Sequence, residues 1–309
     1  MADERITWIG LGNIGRGMSR NIASKGPQNH PLTLYNRTAS RAESFAATLP
    51  ANKATVSTSL TTAAAAASII FICVGDDPAI DAIINTLTSS PEVDLSAKII
   101  VDCSTVHPDT SRRTAAALTA QGASFIACPV FGAPAAADAG QLVVVPAGPA
   151  EAIRRITPFL EGVVAKAVVA MPGEDVGRAS TLKVLGNTFI LNMVESLAEA
   201  LVAAEKSGLG AEVYREFIHR MFPGPVAAYA DRMCSGDYWQ RAEPLFAVDL
   251  ARKDLRHAAS LARSAEMRLR SAEVTDGYLE VVKKEKGEQG DIAAVYGAVR
   301  KESGLEFDN

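Results

Sequence analysis

Ile6-Thr7-Trp8-Ile9-Gly10-Leu11-Gly12-Asn13-Ile14-Gly15 is the stretch whose reading decides the fold. A short, mostly apolar run (6–9) ends in GxGxxG, and a helical stretch follows from about Ile14 to Ser24. In a strand–turn–helix each glycine has its own task. Gly10 permits the tight turn, Gly12 lets the backbone approach a pyrophosphate, and Gly15 lets the helix pack closely on the strand. Free N–H groups at the helix start hold the phosphates. Gly10, Leu11, Gly12, Asn13, Ile14 and Gly15 are therefore the expected dinucleotide contacts. The hexapeptide alone is a weak signal, and a glycine-rich turn without a ligand is the alternative. Its place at the head of an alternating pattern gives it weight.

That pattern continues outward. Leu32 to Tyr35, Ile69 to Val74, Ile99 to Cys103, Ser124 to Ala127 and Leu142 to Val145 are short apolar runs. Between them lie segments long enough for helices, notably Asp109 to Gln121, and Ala150 to Leu160 follows the last of them. Such alternation implies βαβ crossovers and a doubly wound, mostly parallel α/β sheet of the Rossmann type. After Met171-Pro172-Gly173 the strand signal stops. From Asp175 to Ser207 apolar residues recur at helical spacing: Leu182, Leu185, Phe189, Met193, Leu197 and Leu201. This predicts one long helix packed on both sides, then further helices. The expected division is residues 1–172, a Rossmann dinucleotide domain, and 173–309, an all-helical domain for substrate closure and oligomerisation.

The end of the second strand, Tyr35-Asn36-Arg37-Thr38, bears on the cofactor. An NAD site usually carries an acidic residue there for the ribose 2′-hydroxyl. Asn36 has no charge to repel a 2′-phosphate, Arg37 offers a fork of donors, and Thr38 adds a hydroxyl. The reading is NADP (NADPH), the alternative being that Arg37 is a solvated surface arginine.

Composition narrows the classes. Of 309 residues, 48% are hydrophobic and 21% charged, enough apolar surface to exclude a disordered chain. A net charge of -4 lacks the footprint of a duplex nucleic-acid binder. Cys73, Cys103, Cys128 and Cys234 form no CxxC or His/Cys cluster, so no metal site is expected. The first three end apolar runs and read as small buried hydrophobes in a reduced compartment. The stretch from Ala63 to Gly75 falls short of the ~20 residues of a membrane helix. With no targeting segment ahead of Arg5, the expected location is cytoplasmic.

Five blocks resemble the β-hydroxyacid dehydrogenases, a family of dehydrogenases and semialdehyde reductases that includes 3-hydroxyisobutyrate dehydrogenase. They are residues 9–18 with Asn21 and Gly26; Asp102-Cys103-Ser104-Thr105-Val106-His107-Pro108; Pro129-Val130-Phe131-Gly132-Ala133 with Ala139-Gly140-Gln141-Leu142; Gly177 through Lys183 to Asn187; and Pro244-Leu245-Phe246 with Lys253-Asp254-Leu255. They span almost the whole chain. The resemblance implies hydride transfer between NADPH and a small carbonyl or hydroxyacid, with Lys183 as general acid/base and Asn187 beside it. Chemistry supports this independently. An ammonium stabilises and protonates a developing alkoxide, and its neutral amine takes the proton in reverse. Asn187 is four residues on, so both side chains leave the same helix face. By itself Lys183 also suits an interdomain salt bridge. Thr105, Val74 and Lys253 are implied cofactor contacts, against which stand a core valine and a surface lysine. The site is expected between the domains.

One departure stands out. The family's third block usually carries a serine where this chain has Phe131, and that segment binds the substrate carboxylate. Phe131, Gly132 and Ala133 are the corresponding substrate contacts here. Either the ring points into the core and backbone N–H groups of Gly132 and Ala133 still receive a carboxylate, or the substrate is more apolar or neutral. Two other activities remain open: imine reduction, which Lys183 argues against, and a non-catalytic NADP-binding or scaffold role, which Lys183 with Asn187 argues against. A homodimer or homotetramer is expected, with no nucleic-acid or membrane partner.

Overall fold

The computed structural model describes residues 4–309. Two compact units emerge, 4–183 and 184–309.

The first unit is built on strands. They are β1 (Ile6–Ile9), β2 (Leu32–Tyr35), β3 (Ala54–Val56), β4 (Ile69–Ile72), β5 (Ile99–Asp102), β6 (Ser124–Ala127), β7 (Val130–Phe131), β8 (Leu142–Val144), β9 (Ala147–Gly148), β10 (Ala165–Val168) and β11 (Met171–Pro172). The main sheet has the order β11-β9-β6-β5-β4-β1-β2-β3. All its pairings are parallel except β6 with β9. Helices α1 (Asn13–Lys25), α2 (Ala39–Ala46), α3 (Leu60–Ala65), α4 (Asp77–Ser89), α5 (Pro108–Thr119), α6 (Pro134–Ala139) and α7 (Ala150–Leu160) intervene. This is the expected Rossmann-type α/β architecture.

The continuous apolar runs follow from burial on both sheet faces. Ile69 and Phe71 join one core with Trp8, Leu34 and Val101, whereas Ile70 and Ile72 join another with Ile9, Ile100 and Phe125. Leu142 to Val145 differs from its expected place. β8 leaves the main sheet and forms a second one, β10-β8-β7. The local run made it a strand, but its pairing with Val130 and Phe131 set its sheet.

Helix α1 lies so close to α6 that a Cβ on Gly17 would stand 2.7 Å from the Ala137 carbonyl carbon and the Asp138 nitrogen. Asn21 bridges the two, its Nδ2 donating to the carbonyls of Gly17, Ala137 and Asp138. The second half of the first sequence block therefore fixes α6, and with it the 131–133 segment that precedes it.

Helix α8 (Val176–Lys206) is 31 residues long, as the periodicity predicts, and begins inside the first unit. Gly208 follows it at φ +83°. Its apolar line divides. Leu197 and Leu201 are buried, but Leu182, Leu185 and Phe189 are 36%, 45% and 73% exposed, so among the described residues this half is not packed on both sides.

The second unit continues with α9 (Ala211–Met221), α10 (Pro225–Cys234), α11 (Asp237–Gln240), α12 (Val248–Ser264), α13 (Arg270–Lys286) and α14 (Val295–Glu302). Its core gathers Leu197, Leu201, Ala230, Met233, Leu279, Val282 and Tyr296. Buried Asp291 accepts backbone N–H bonds from Leu245, Phe246 and Ala293 and meets Arg232 at 2.8 Å. It thereby secures the turn leading into α12, which carries Lys253 and Asp254. Among the described residues no helix is long and apolar enough to cross a membrane.

Candidate active site

The parallel strands bring the carboxyl ends of β1, β2, β4 and β5 to one edge, where open α/β sheets bind ligands. The glycine loop is braced there from several sides. Gly10 adopts φ +97°, and a Cβ on it would come within 2.2 Å of the Cys73 carbonyl oxygen. Trp8 Nε1 donates to the Gly10 carbonyl at 2.7 Å, and its ring stacks on Phe71. A Cβ on Gly15 would lie 2.4 Å from the Gly10 oxygen. Gly12 is exposed, and a Cβ there would meet nothing within 4 Å. The loop is tight where it packs and open at its tip, as a pyrophosphate seat requires. The first turn of α1, with Asn13 and Ile14 half-buried, carries no acidic residue to oppose an anion. The residues present fit a dinucleotide.

Leu11 has a buried side chain, and its N–H donates to Asn36 Oδ1 at 3.1 Å. Asn36 Nδ2 donates in turn to the Thr38 carbonyl at 3.0 Å. Both ends of the amide are thus used to join the glycine loop to the end of β2. Arg37 and Thr38 beside it are exposed, and Arg37 forms no ion pair among the described residues.

At the next strands, Val74 N–H donates to Ser104 Oγ (2.9 Å) and Ser104 N–H to Asp102 Oδ1 (2.9 Å). Asp77 Oδ1 accepts from His107 N–H (2.8 Å) and Thr110 Oγ1 (2.7 Å). These ties set the loops bearing half-buried Val74 and Thr105. No role for Ser104 or Asp77 was legible in sequence, since their partners Val74, His107 and Thr110 lie 30 to 33 positions away, whereas Asp102 acts on Ser104 two residues on. Burial, then the Asp102 carboxylate, pushes the Cys73 thiol up to about 12, and the Lys183 ammonium opposes them. Lys183 is therefore within electrostatic reach of this edge. Cys103 and Cys128 are buried, while Cys73 is half-buried.

Lys183 is 8% exposed, and its Nζ stands 4.4 Å from the centroid of the Phe131 ring. Phe131 is half-buried and rests on the core that includes Ile72, Val106 and Ala179. The ring thus borders the core and turns a face to the ammonium. Gly132 and Ala133 are exposed. Gly132 has φ +140°, and a Cβ there would stand 2.6 Å from Leu142 Cδ2. A Cβ on Gly177 would stand 2.7 Å from the Arg112 guanidinium, so that glycine admits an arginine held by Asp109 and Asp175.

In the second unit Asn187 Nδ2 donates to Asp254 Oδ2 at 2.6 Å, and Asp254 Oδ1 meets Lys253 Nζ at 3.1 Å. All three are buried. The carboxylate orients the Asn187 amide and offsets the charge of Lys253.

The site and the sheet define a dinucleotide-binding oxidoreductase. The model of the NAD-binding domain of 6-phosphogluconate dehydrogenase matches residues 5–173. That of the NAD-binding region of NADP-dependent 3-hydroxyisobutyrate dehydrogenase matches 177–299. The chain belongs to the β-hydroxyacid dehydrogenase family. An Aspergillus ustus protein named NADH-dependent oxidoreductase ucdB is 34% identical over 95% of this chain and 98% of its own. The 2-hydroxy-3-oxopropionate reductase of Escherichia coli K12 is 26% identical over 86% of each. A solved structure described as Psf3 in complex with NADP+ and 2-OPP shares the fold, with TM-score 0.80 and 23% identity, covering 95% of this chain and 99% of that one.

Proposed function

We propose that the protein transfers hydride between NADPH and the carbonyl carbon of a small carbonyl or hydroxyacid-type compound, with Lys183 handling the oxygen's proton. The observation that carries this is the placing of Lys183: it is buried, faces Phe131, and acts electrostatically on Cys73 at the edge where the glycine loop lies. The nicotinamide supplies hydride when bound. Gly10, Leu11, Gly12, Asn13, Ile14 and Gly15 form the pyrophosphate seat, with Leu11 acting through its bond to Asn36. Arg37 and Thr38 receive the 2′-phosphate. Val74, Thr105 and Lys253 contact the rest of the cofactor.

In reduction, charge builds on the carbonyl oxygen as the C–H bond forms. The Lys183 ammonium stabilises that charge and then gives up a proton. In oxidation the neutral amine accepts it. Asn187, one helical turn on, binds the reacting hydroxyl while Asp254 fixes its amide. Phe131, Gly132 and Ala133 form the substrate wall.

The test is NADPH consumption, followed by absorbance, with semialdehydes, glyoxylate, 3-hydroxyacids in reverse, apolar ketones and a cyclic imine. Turnover of carbonyl compounds above the imine is expected. Imine turnover alone, or NADPH binding without consumption of any compound, would overturn the reading.

The exposed apolar side chains of α8 and α9, among them Phe189, Val213, Phe217 and Met221, support a homo-oligomer. Small-angle scattering is expected to give a dimer or tetramer mass, and a monodisperse monomer refutes it.

A further inference from the structure

We propose that Phe131 is a specificity-determining residue: its ring, seated on the Lys183 ammonium, selects carbonyl compounds whose flank beside the reacting carbon is uncharged and apolar. This rests on the functional reading above and names its substrate class. The ring centroid lies 4.4 Å from Nζ, within the ~6 Å over which a cation is drawn to an aromatic face. The ring presents no hydrogen-bond donor to a substrate carboxylate.

The surroundings are consistent with this. Phe131 packs against an apolar core that includes Val106 and Ala179, so one side of the ring is backed by apolar side chains. Gly132 beside it adopts φ +140°, a backbone conformation that side chains disfavour, so the segment's path calls for glycine there. A carboxylate brought against this wall loses water and gains no donor from the side chain, a cost that neutral groups avoid. The ammonium alone would attract an anion, but here the ring covers one of its faces. Phe131 thus holds the proton donor in place and sets what lies next to it.

The experiment compares malonic semialdehyde with its methyl ester, which carry a carboxylate or a neutral ester on the carbon next to the aldehyde. Wild type is expected to favour the ester by at least about tenfold in kcat/KM, a difference of about 1.4 kcal/mol in transition-state binding. Phe131→Ser, which supplies a hydroxyl and opens the wall, is expected to reverse the preference, mainly through a lower KM for the acid. Phe131→Tyr, which keeps the ring, is expected to retain the wild-type order. Equal use of both compounds by wild type, or a ratio unmoved in Phe131→Ser, overturns the role of Phe131 and leaves the reductase reading standing. Turnover of neither compound by wild type, with other carbonyls also inert, overturns both.

Discussion

Lys183→Ala is expected to lower turnover by about 10²–10⁴-fold, the usual worth of a positioned general acid, or about 3–5 kcal/mol of barrier. NADPH affinity should stay within about threefold, because the phosphate seat is built on the Gly10–Gly15 loop while Lys183 lies on α8. The side chain is buried, faces an aromatic ring and influences Cys73 at the sheet edge, so its loss removes charge stabilisation where an alkoxide would form. Lys183→Arg separates catalysis from charge pairing. Arginine keeps the positive charge but does not release a proton in proteins. A general acid is therefore not rescued by arginine, whereas a structural ion-pair partner is. Single-turnover rates with saturating NADPH, alongside thermal melts to show the variants folded, decide the matter. Near-normal turnover in either variant removes Lys183 from the chemistry.

The alternating architecture was legible because a doubly covered parallel sheet writes itself as unbroken apolar runs, as in Ile69-Ile70-Phe71-Ile72. Strands of two residues, such as β7, β9 and β11, leave no such mark, and β3 offers only Ala54–Val56. Sheet membership was not legible either. Leu142 to Val144 has the same local pattern as the main strands, and its pairing with β7 and β10 places it elsewhere. The glycine loop was readable since the hexapeptide follows one apolar run and opens a helix. What braces the loop was not. Asn36 was read for its lack of charge, yet both its amide ends are tied up holding Leu11 and Thr38. Likewise nothing local links Asn187 to Asp254, whose carboxylate comes from 67 positions away. The line of leucines in α8 predicted the helix but not its surroundings, because periodicity shows which face is apolar and not what covers it. Phe131 was visible as a departure, and its direction, toward Lys183 and not wholly into the core, came only from the fold.

Arg37→Leu is expected to reduce kcat/KM for NADPH by about 100-fold while leaving NADH within about twofold, since a charged hydrogen bond to phosphate contributes about 1.5–3 kcal/mol. Asn36 carries no charge to tell the two cofactors apart. Its amide already bonds Leu11 and Thr38, so the proposed reader of the ribose is the exposed pair that follows, Arg37 and Thr38. Arg37 forms no ion pair among the described residues, which leaves its fork of donors for an incoming phosphate. Lysine keeps the charge without the fork, so Arg37→Lys should fall between, losing about tenfold for NADPH. Because the position is exposed, added salt should narrow the NADPH preference of the wild type and leave that of Arg37→Leu almost unchanged. The Aspergillus ustus relative is named for NADH, so family membership does not decide between the two cofactors and these local donors must. A wild-type enzyme that uses NADH as well as NADPH, or an Arg37→Leu enzyme with an unaltered ratio, would show that the 2′-phosphate is not read here.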